Sequence, residues 1–176
     1  LDVSGRGKAS QLLPGINRFA VECEGFTESS CVQEKNEWCW AACAQMVGTY
    51  KGQGENQRAI VERVLKDGKA NDPAEWFEIS QALAPEVRDA SLRERFISHL
   101  NEGRFTLSPG KVVEAVFNNM PANSDHIVAE ISAGNPVVVG FKPKQNGREG
   151  HICTLYKVEY AHRDPYSVSY THLRAH

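Results

Sequence analysis

The chain has 176 residues, of which 41% are hydrophobic and 24% charged, and its formal net charge at pH 7 is -2. This length fits one globular domain that buries about two-thirds of its unfolded surface, and the composition excludes a disordered, coiled-coil or fibrous protein. Scattered lysines and arginines argue against nucleic-acid binding, and no apolar run reaches the roughly 18 residues of a membrane span.

The two ends of the chain differ from its interior. Residues 1–14 are polar, which predicts an extended lead-in, and without an initiator Met or a signal-peptide pattern a fragment and a mature form are both open. Residues 168–176, VSYTHLRAH, match one reading frame of a common sequencing-library adapter. We therefore expect a non-native tail, native sequence ending near Tyr166 or Ser167 with a C-terminal segment missing, and a single domain over residues 15–167.

Apolar residues that recur at three- and four-residue steps predict a run of helices through the middle of the chain. The first predicted helix starts at Trp38 and ends near Gly48 to Gly52, and the second spans Gln57 to Lys66. The third begins at Asp72-Pro73, the fourth covers Leu92 to Leu100, and the fifth spans Lys111 to Asn118. Asp72 is the expected N-cap of the third helix, because its side chain can accept a free amide hydrogen and Pro73 fits the first helical position. The residues expected to face inward from that helix are Trp76, Phe77, Ile79 and Leu83.

The last third of the chain changes to strand patterns. A short helix is predicted over Asp125 to Ala133 and ended by Gly134. Pro136 to Phe141 is a short β-branched run after a turn, which predicts a buried strand, and His151 to Tyr160 predicts a longer one. Because the helices precede these strands, the sequence predicts an α+β fold with two packed layers.

The cysteines could serve in a disulfide, a metal site, the core or a nucleophilic site. The chain has five cysteines, which are Cys23, Cys31, Cys39, Cys43 and Cys153. Because this number is odd, at least one thiol is free or paired with another chain. A bridge between Cys23 and Cys31 is open for an exported protein. No C-x-x-C pair is present and the nearest His is remote from Cys39 in sequence, so neither a metal ion nor another cofactor is predicted. Cys43 lies one helical turn inside, among Ala and Met, which predicts a packing role.

Cys39 differs from the other cysteines because it falls where a helix begins. Free backbone N–H groups and the positive end of the helix dipole stabilise a thiolate over a thiol there. His151, at the start of a strand after a glycine-containing loop, is the candidate base, although a lone histidine there is ordinarily structural. Gln33 lies in a loop six residues before Cys39. Its amide can join the Cys39 N–H in holding an oxyanion, although taken alone it is only a polar loop residue.

These residues resemble the papain-like cysteine peptidases, and most of all their compact bacterial branch, which includes effector peptidases. The matching elements, over roughly residues 31–166, are Gln33, Trp38 to Ala42, Gly134 to Val139, Gly150-His151 and Asp164-Pro165. The resemblance implies a helical part that carries the Cys helix, packed on a C-terminal antiparallel sheet that carries the His. It also implies that Cys39 is the nucleophile, His151 the general base and acid, and Gln33 the oxyanion donor. The interval from Cys39 to His151 is shorter than the roughly 130–150 residues of the papain pattern, as in a trimmed relative.

The third catalytic position has two readings. The family places Asn or Asp on the strand after the His strand, where it holds the imidazole tautomer, and Asp164 resembles that element. If Asp164 paired back across from His151, however, the hairpin turn would centre on Lys157-Val158, which are poor turn residues. Residues 162–166, HRDPY, form the better turn, and in that case the orienting residue belongs to the missing C-terminal segment.

The sequence therefore predicts thiol-dependent hydrolysis of peptide bonds, with a peptide or protein as the substrate. Two alternatives stay open: a catalytically incomplete papain-fold module that binds a peptide or partner protein, and a related acyl transferase or amidase with the same dyad. Trp38 and Trp40 are expected to shape the site and to exclude water from it. A secreted or translocated bacterial protein fits the resemblance, whereas compartment, substrate specificity and oligomeric state are not predicted.

Overall fold

The computed structural model describes residues 8–13, 16–84, 104–108, 115–118, 124–141, 151–164 and 167–175. The strands in chain order are β1 (Lys8–Leu13), β2 (Ile16–Glu22), β3 (Arg104–Ser108), β4 (Ala115–Asn118), β5 (Val137–Phe141), β6 (His151–Asp164) and β7 (Ser167–Ala175). The helices are α1 (Cys39–Tyr50), α2 (Gln57–Leu65), α3 (Trp76–Leu83) and α4 (Ser124–Ser132), with a short 3-10 turn at Phe26–Ser29. The predicted combination of helices with an antiparallel sheet is confirmed.

The chain forms two compact units. The first consists of residues Leu1–Ser30, Ala122–Lys142 and Gly150–His176, and the second of residues Cys31–Pro121 and Pro143–Glu149. The first unit holds the five-stranded sheet and α4, whereas α1, α2 and α3 belong to the second. None of the described helices is long and apolar enough to cross a membrane.

The sheet of the first unit is organised around β6. β5 pairs antiparallel with its first part, from Val137 opposite Leu155 to Phe141 opposite His151, and β2 pairs antiparallel with residues further along. β1 continues the sheet beyond β2, which gives the order β1-β2-β6-β5. β-branched residues favour β5, and α4 covers the sheet with contacts to β2, β5, β6 and β7. The largest fully buried side chains described in this unit are Val21, Phe26, Ile131, Leu155 and Val158.

The predicted elements of the first unit are largely confirmed. α4 ends as expected before Gly134, whose φ of 78° suits a residue without a Cβ, and β5 and β6 lie where the sequence predicts strands. The prediction that β5 is buried is wrong, because Val137 to Val139 are half-buried. β6 is longer than predicted and runs without a turn through Lys157 and Val158 to Asp164. The lead-in contains β1, and β2, which the sequence analysis does not predict, pairs with β1 on one side and with β6 on the other.

The segment that resembles translated adapter forms most of β7, which pairs with β6. The fold prediction excludes this segment, whereas the structure places it in the sheet. This pairing has three register shifts, while the pairings of β6 with β2 and with β5 have none. Register is weakly specified where the hydrophobic pattern does not fix which face is buried, and the irregular ladder fits such a strand. The non-native origin of residues 168–176 stays a prediction.

The helices of the second unit pack against one another in all three pairs. α2 begins as predicted, because the Asn56 side chain accepts the amide hydrogen of Ala59 at 2.9 Å, and it ends one residue before Lys66, which has a φ of 59°. The core of this unit is formed mainly by Trp38, Trp40, Met46, Val47, Ile60, Val61, Phe77 and Ile79. Burial of these apolar side chains is the main driving force for this packing.

Two helix predictions in the second unit are wrong. α3 begins at Trp76 and not after Asp72, because Glu75 and Glu78 form a capping box there. Phe77 and Ile79 face inward as predicted, but Trp76 is 38% exposed. Residues 115–118 form β4 instead of the end of a helix, since they pair with β3. The helix predicted over 92–100 lies outside the described residues.

Candidate functional site

Cys39 is the first residue of α1, as the sequence predicts, and its side chain is half-buried. The N-cap residue Trp38 makes no side-chain cap bond, and the first turn of the helix contains no acidic residue. The positive end of a helix dipole favours an anion at such a position. Cys43, one turn further on, is 2% exposed, so its predicted packing role is confirmed.

The two tryptophans beside Cys39 attach the start of α1 to residues 69–72, called the 69–72 segment below. Both side chains are 1% exposed. The indole Nε1 of Trp38 donates to the carbonyl of Ala70 at 2.8 Å, and that of Trp40 donates to the carbonyl of Asp72 at 3.3 Å. Buried indole N–H groups need such partners. The sequence predicts a helix start at Asp72, and in the structure the backbone carbonyl of this residue accepts the hydrogen bond from Trp40.

Further bonds link the 69–72 segment to the residues just before Trp38. Lys35 donates from its Nζ to the carbonyl of Lys69 at 2.8 Å, and the same ammonium lies 4.5 Å from the ring centre of Trp38. The Glu37 amide donates to the Asn71 Oδ1 at 3.2 Å. The backbone before Cys39 is therefore held from several directions, with no contact to the thiol itself among these bonds.

Gln33 lies in the loop before α1, where the sequence places it. Its Nε2 donates to the carbonyl of Lys35 and to the carbonyl of Asn36, each at 2.6 Å. An amide nitrogen carries two hydrogens, so both donors of Gln33 are engaged by its own loop. In this state Gln33 closes the loop on itself, and it offers an oxyanion a hydrogen only by exchanging one of these carbonyls.

Gln57 is a polar residue of this region that sequence reasoning missed. It is 1% exposed at the first residue of α2. Its Oε1 accepts the amide hydrogen of Glu34 at 2.9 Å, and its Nε2 donates to the carbonyl of Val32 at 2.8 Å. The available signal was its position on the apolar face that also carries Ile60 and Val61, where a glutamine must find buried partners.

His151 is exposed at the first residue of β6, which confirms its predicted place at a strand start. It belongs to the first unit, whereas Cys39 and Gln33 belong to the second, so the pairing of Cys39 with His151 stays a prediction.

Asp164 is the last residue of the strand that His151 begins. At a rise of about 3.3 Å per residue, the strand separates their backbones by on the order of 40 Å. The structure therefore does not bring Asp164 to His151, which corrects the reading of Asp164 as the orienting residue. It agrees instead with a turn near the end of HRDPY, because Asp164 pairs with Ser167, although residues 165–166 lie outside the described part.

None of the five cysteines forms a disulfide, so the bridge between Cys23 and Cys31 is not formed. Cys31 is half-buried, and its Sγ lies 3.7 Å from both the Ala42 carbonyl and the Gln57 Nε2. Burial raises the pKa of the Cys31 thiol, the contact with Gln57 lowers it, and the nearby charge of Glu34 raises it, with a net upward shift. Within the described residues, no group of three His, Cys, Asp or Glu side chains could hold a metal ion.

Comparisons of the chain with protein-family models, with curated proteins and with solved structures give no significant match.

Proposed function

We propose that the chain is a papain-like cysteine peptidase in which Cys39 is the nucleophile. The observation that carries the proposal is the position of Cys39 at the uncapped start of α1, with its thiol half-buried and its neighbours fixed by the 69–72 segment. Such a helix start stabilises a thiolate, which is the nucleophilic form of cysteine. The same position makes the backbone N–H of Cys39 a candidate oxyanion donor.

The proposed reaction begins when the Cys39 thiolate attacks the peptide carbonyl carbon. A C–S bond forms, and the electron pair of the carbonyl moves to its oxygen. The oxyanion is held by the Cys39 N–H and by one N–H of Gln33, which leaves its loop carbonyl because a bond to a charged acceptor is stronger. As the carbonyl re-forms and the C–N bond breaks, protonated His151 gives its proton to the leaving amine, and a thioester to Cys39 remains. Neutral His151 then removes a proton from the water that attacks the thioester carbonyl, and the C–S bond breaks to release the carboxylic acid product and the Cys39 thiolate.

The proposal requires that His151 reaches Cys39 and that the tautomer of His151 is set by a group other than Asp164. It also implies the papain-like arrangement, with the Cys helix packed on the sheet that carries the His. An acyl transferase or amidase would use the same steps with another acceptor or another substrate, and the products distinguish these reactions.

The test combines thiol labelling with turnover. Iodoacetamide at neutral pH should alkylate Cys39 faster than the other four cysteines of the wild type, as read by peptide mapping. A panel of peptides should be cleaved by the wild type, whereas Cys39→Ala and His151→Ala should lose at least about 10³-fold in kcat. Equal alkylation of the wild type and Cys39→Ala, or cleavage that survives in Cys39→Ala, contradicts the proposal.

A non-catalytic module that binds a peptide is the second candidate. Two observations favour it: both N–H groups of Gln33 are engaged by its own loop, and Asp164 lies at the far end of β6 from His151. This module would bind members of the same peptide panel without cleaving them, and Cys39→Ala would bind them equally well.

A further inference from the structure

Gln57 is buried in a way that its own helix does not require. Burying an unpaired amide is costly, so a buried glutamine is found where its N–H and C=O groups have partners. The hydrogen-bond partners of Gln57 lie in the segment from Cys31 to Glu34, which leads toward α1. Gln57 therefore connects the start of α2 to the loop that carries Gln33.

The geometry of this connection centres on Gln33. The carbonyl of Val32 and the amide of Glu34 belong to the peptide groups on either side of Gln33. A neighbouring antiparallel strand would pair with these two groups. The Gln57 side chain binds both, at 2.8 Å and 2.9 Å. Its amide thus takes the place of a paired strand residue and fixes the backbone of Gln33 on both sides.

A second path runs from Gln57 to the helix that Cys39 begins. The Nε2 of Gln57 contacts the Sγ of Cys31 at 3.7 Å, and this thiol donates to the carbonyl of Ala42 at 3.7 Å. Ala42 lies in the first turn of α1, three residues after Cys39. The side chain of Cys31 therefore connects the loop that carries Gln33 to the helix that Cys39 begins.

Satisfying the loop's polar groups does not by itself explain a glutamine at position 57. Val32 is 86% exposed and Glu34 is also exposed, so both residues contact solvent. Water could serve these groups if residue 57 were apolar, as ordered water does at many surface loops. Water would bind these groups without holding the loop in one place, whereas the Gln57 side chain fixes the position of the loop.

We propose that Gln57 is a positioning residue that holds Gln33 at the place where it can donate to the oxyanion. The inference rests on the proposed function, since Gln33 has an oxyanion to stabilise only if Cys39 carries out acyl transfer. A displacement of about 1 Å in a catalytic group can cost on the order of 10²-fold in rate. Loss of the Gln57 bonds should therefore lower kcat with little change in KM.

The first test replaces Gln57 by Met, which has a similar length and no hydrogen-bonding amide, in the full chain. We expect kcat for peptide cleavage to fall about 10- to 100-fold, and KM and the rate of Cys39 alkylation to stay within about twofold, because alkylation forms no oxyanion. In a Gln33→Ala background, Gln57→Met should lower kcat no further, since the two residues act through one donor. Gln53→Met, the same substitution at an exposed glutamine, should leave all three quantities unchanged.

A second variant, Gln57→Glu, keeps the test open if the Met variant does not fold. A neutral carboxylic acid can donate to the Val32 carbonyl and accept from the Glu34 amide, whereas a carboxylate can only accept. The ratio of variant to wild-type kcat should therefore rise as the pH is lowered. A ratio that does not change with pH contradicts the inference.

The remaining outcomes separate this inference from the proposed function. Amide hydrogen exchange at Glu34 should become faster in Gln57→Met whether or not the chain is an enzyme, because that amide loses its acceptor. If the wild type cleaves nothing, the proposed function fails, and the positioning role fails with it. If the wild type is active but Gln57→Met keeps its kcat, or loses kcat and Cys39 alkylation together, only the positioning role is overturned.

Discussion

Replacing Trp38 by Phe tests whether the 69–72 segment is held by the residues around Cys39. Trp38 is 1% exposed, and its indole donates to the Ala70 carbonyl at 2.8 Å. Loss of this hydrogen bond should cost about 1 kcal/mol in the free energy of unfolding. The smaller ring removes a few buried carbon-sized groups at about 0.8 kcal/mol each, or about 2 kcal/mol together. We therefore expect Trp38→Phe to lose about 3 kcal/mol.

The matched control is Trp76→Phe, because Trp76 is 38% exposed on α3. The same substitution there should cost about 1 kcal/mol or less, since a surface position loses less packing. Urea unfolding followed by far-UV circular dichroism measures both variants without relying on tryptophan fluorescence. Equal losses of stability in the two variants would refute the reasoning, because the burial of Trp38 and its bond to the 69–72 segment would then have no measurable effect.

Two further predictions concern backbone packing and pH. A Cβ on Gly48 would lie 2.6 Å from the backbone oxygen of Gln53, so Gly48→Ala should cost about 1–3 kcal/mol in urea unfolding, whereas Gly54→Ala meets nothing within 4 Å and should change stability by about 0.5 kcal/mol or less. Burial raises the pKa of the Cys31 thiol above its ordinary 9.0, so this thiol ionises at lower pH in the unfolded chain than in the folded one. The contribution of Cys31 to stability is therefore complete below the pKa of the unfolded chain and is lost as the pH rises through the folded pKa. Thermal melts should show this fall in the wild type, and a reduced one in Cys31→Ala; an identical pH dependence would contradict it.

The elements that the sequence predicts well carry their own boundary signals. α2 has Asn56 as a cap at its start, and α4 stops before Gly134. β5 is a run of β-branched residues that favours a strand before any partner is known. Such local signals act within a few residues, so a single sequence is sufficient to read them.

The wrong predictions come from signals that compete locally or depend on distant partners. Asp72-Pro73 and Glu75 are both plausible starts for α3, and the capping box with Glu78 decides between them. β4 becomes a strand because it pairs with β3, which the sequence provides no means of aligning. Asp164 resembles an orienting residue because Pro165 follows it, as in the family's Asp-Pro element, and the unbroken course of β6 separates it from His151.

The candidate site shows the same division. Cys39 could be recognised because a helix start is a local feature, and Gln33 because its spacing to Cys39 matches a known pattern. The supporting residues could not be recognised in this way. Gln57 and the 69–72 segment lie more than twenty residues from the groups they hold, and their role depends on which backbone atoms the fold brings within hydrogen-bonding distance.

In the block W-C-W, the two tryptophans anchor the backbone and Cys39 is the candidate nucleophile. The tryptophans on both sides of Cys39 are buried and donate to the 69–72 segment, while the thiol between them stays half-buried. An oxyanion donor must be held within about 0.5 Å of its productive place, and the backbone N–H of Cys39 is fixed on each side by one of these anchors. The block thus supplies the rigidity that the proposed acyl transfer at Cys39 requires, and a change in either tryptophan should affect the proposed reaction through the position of the Cys39 backbone.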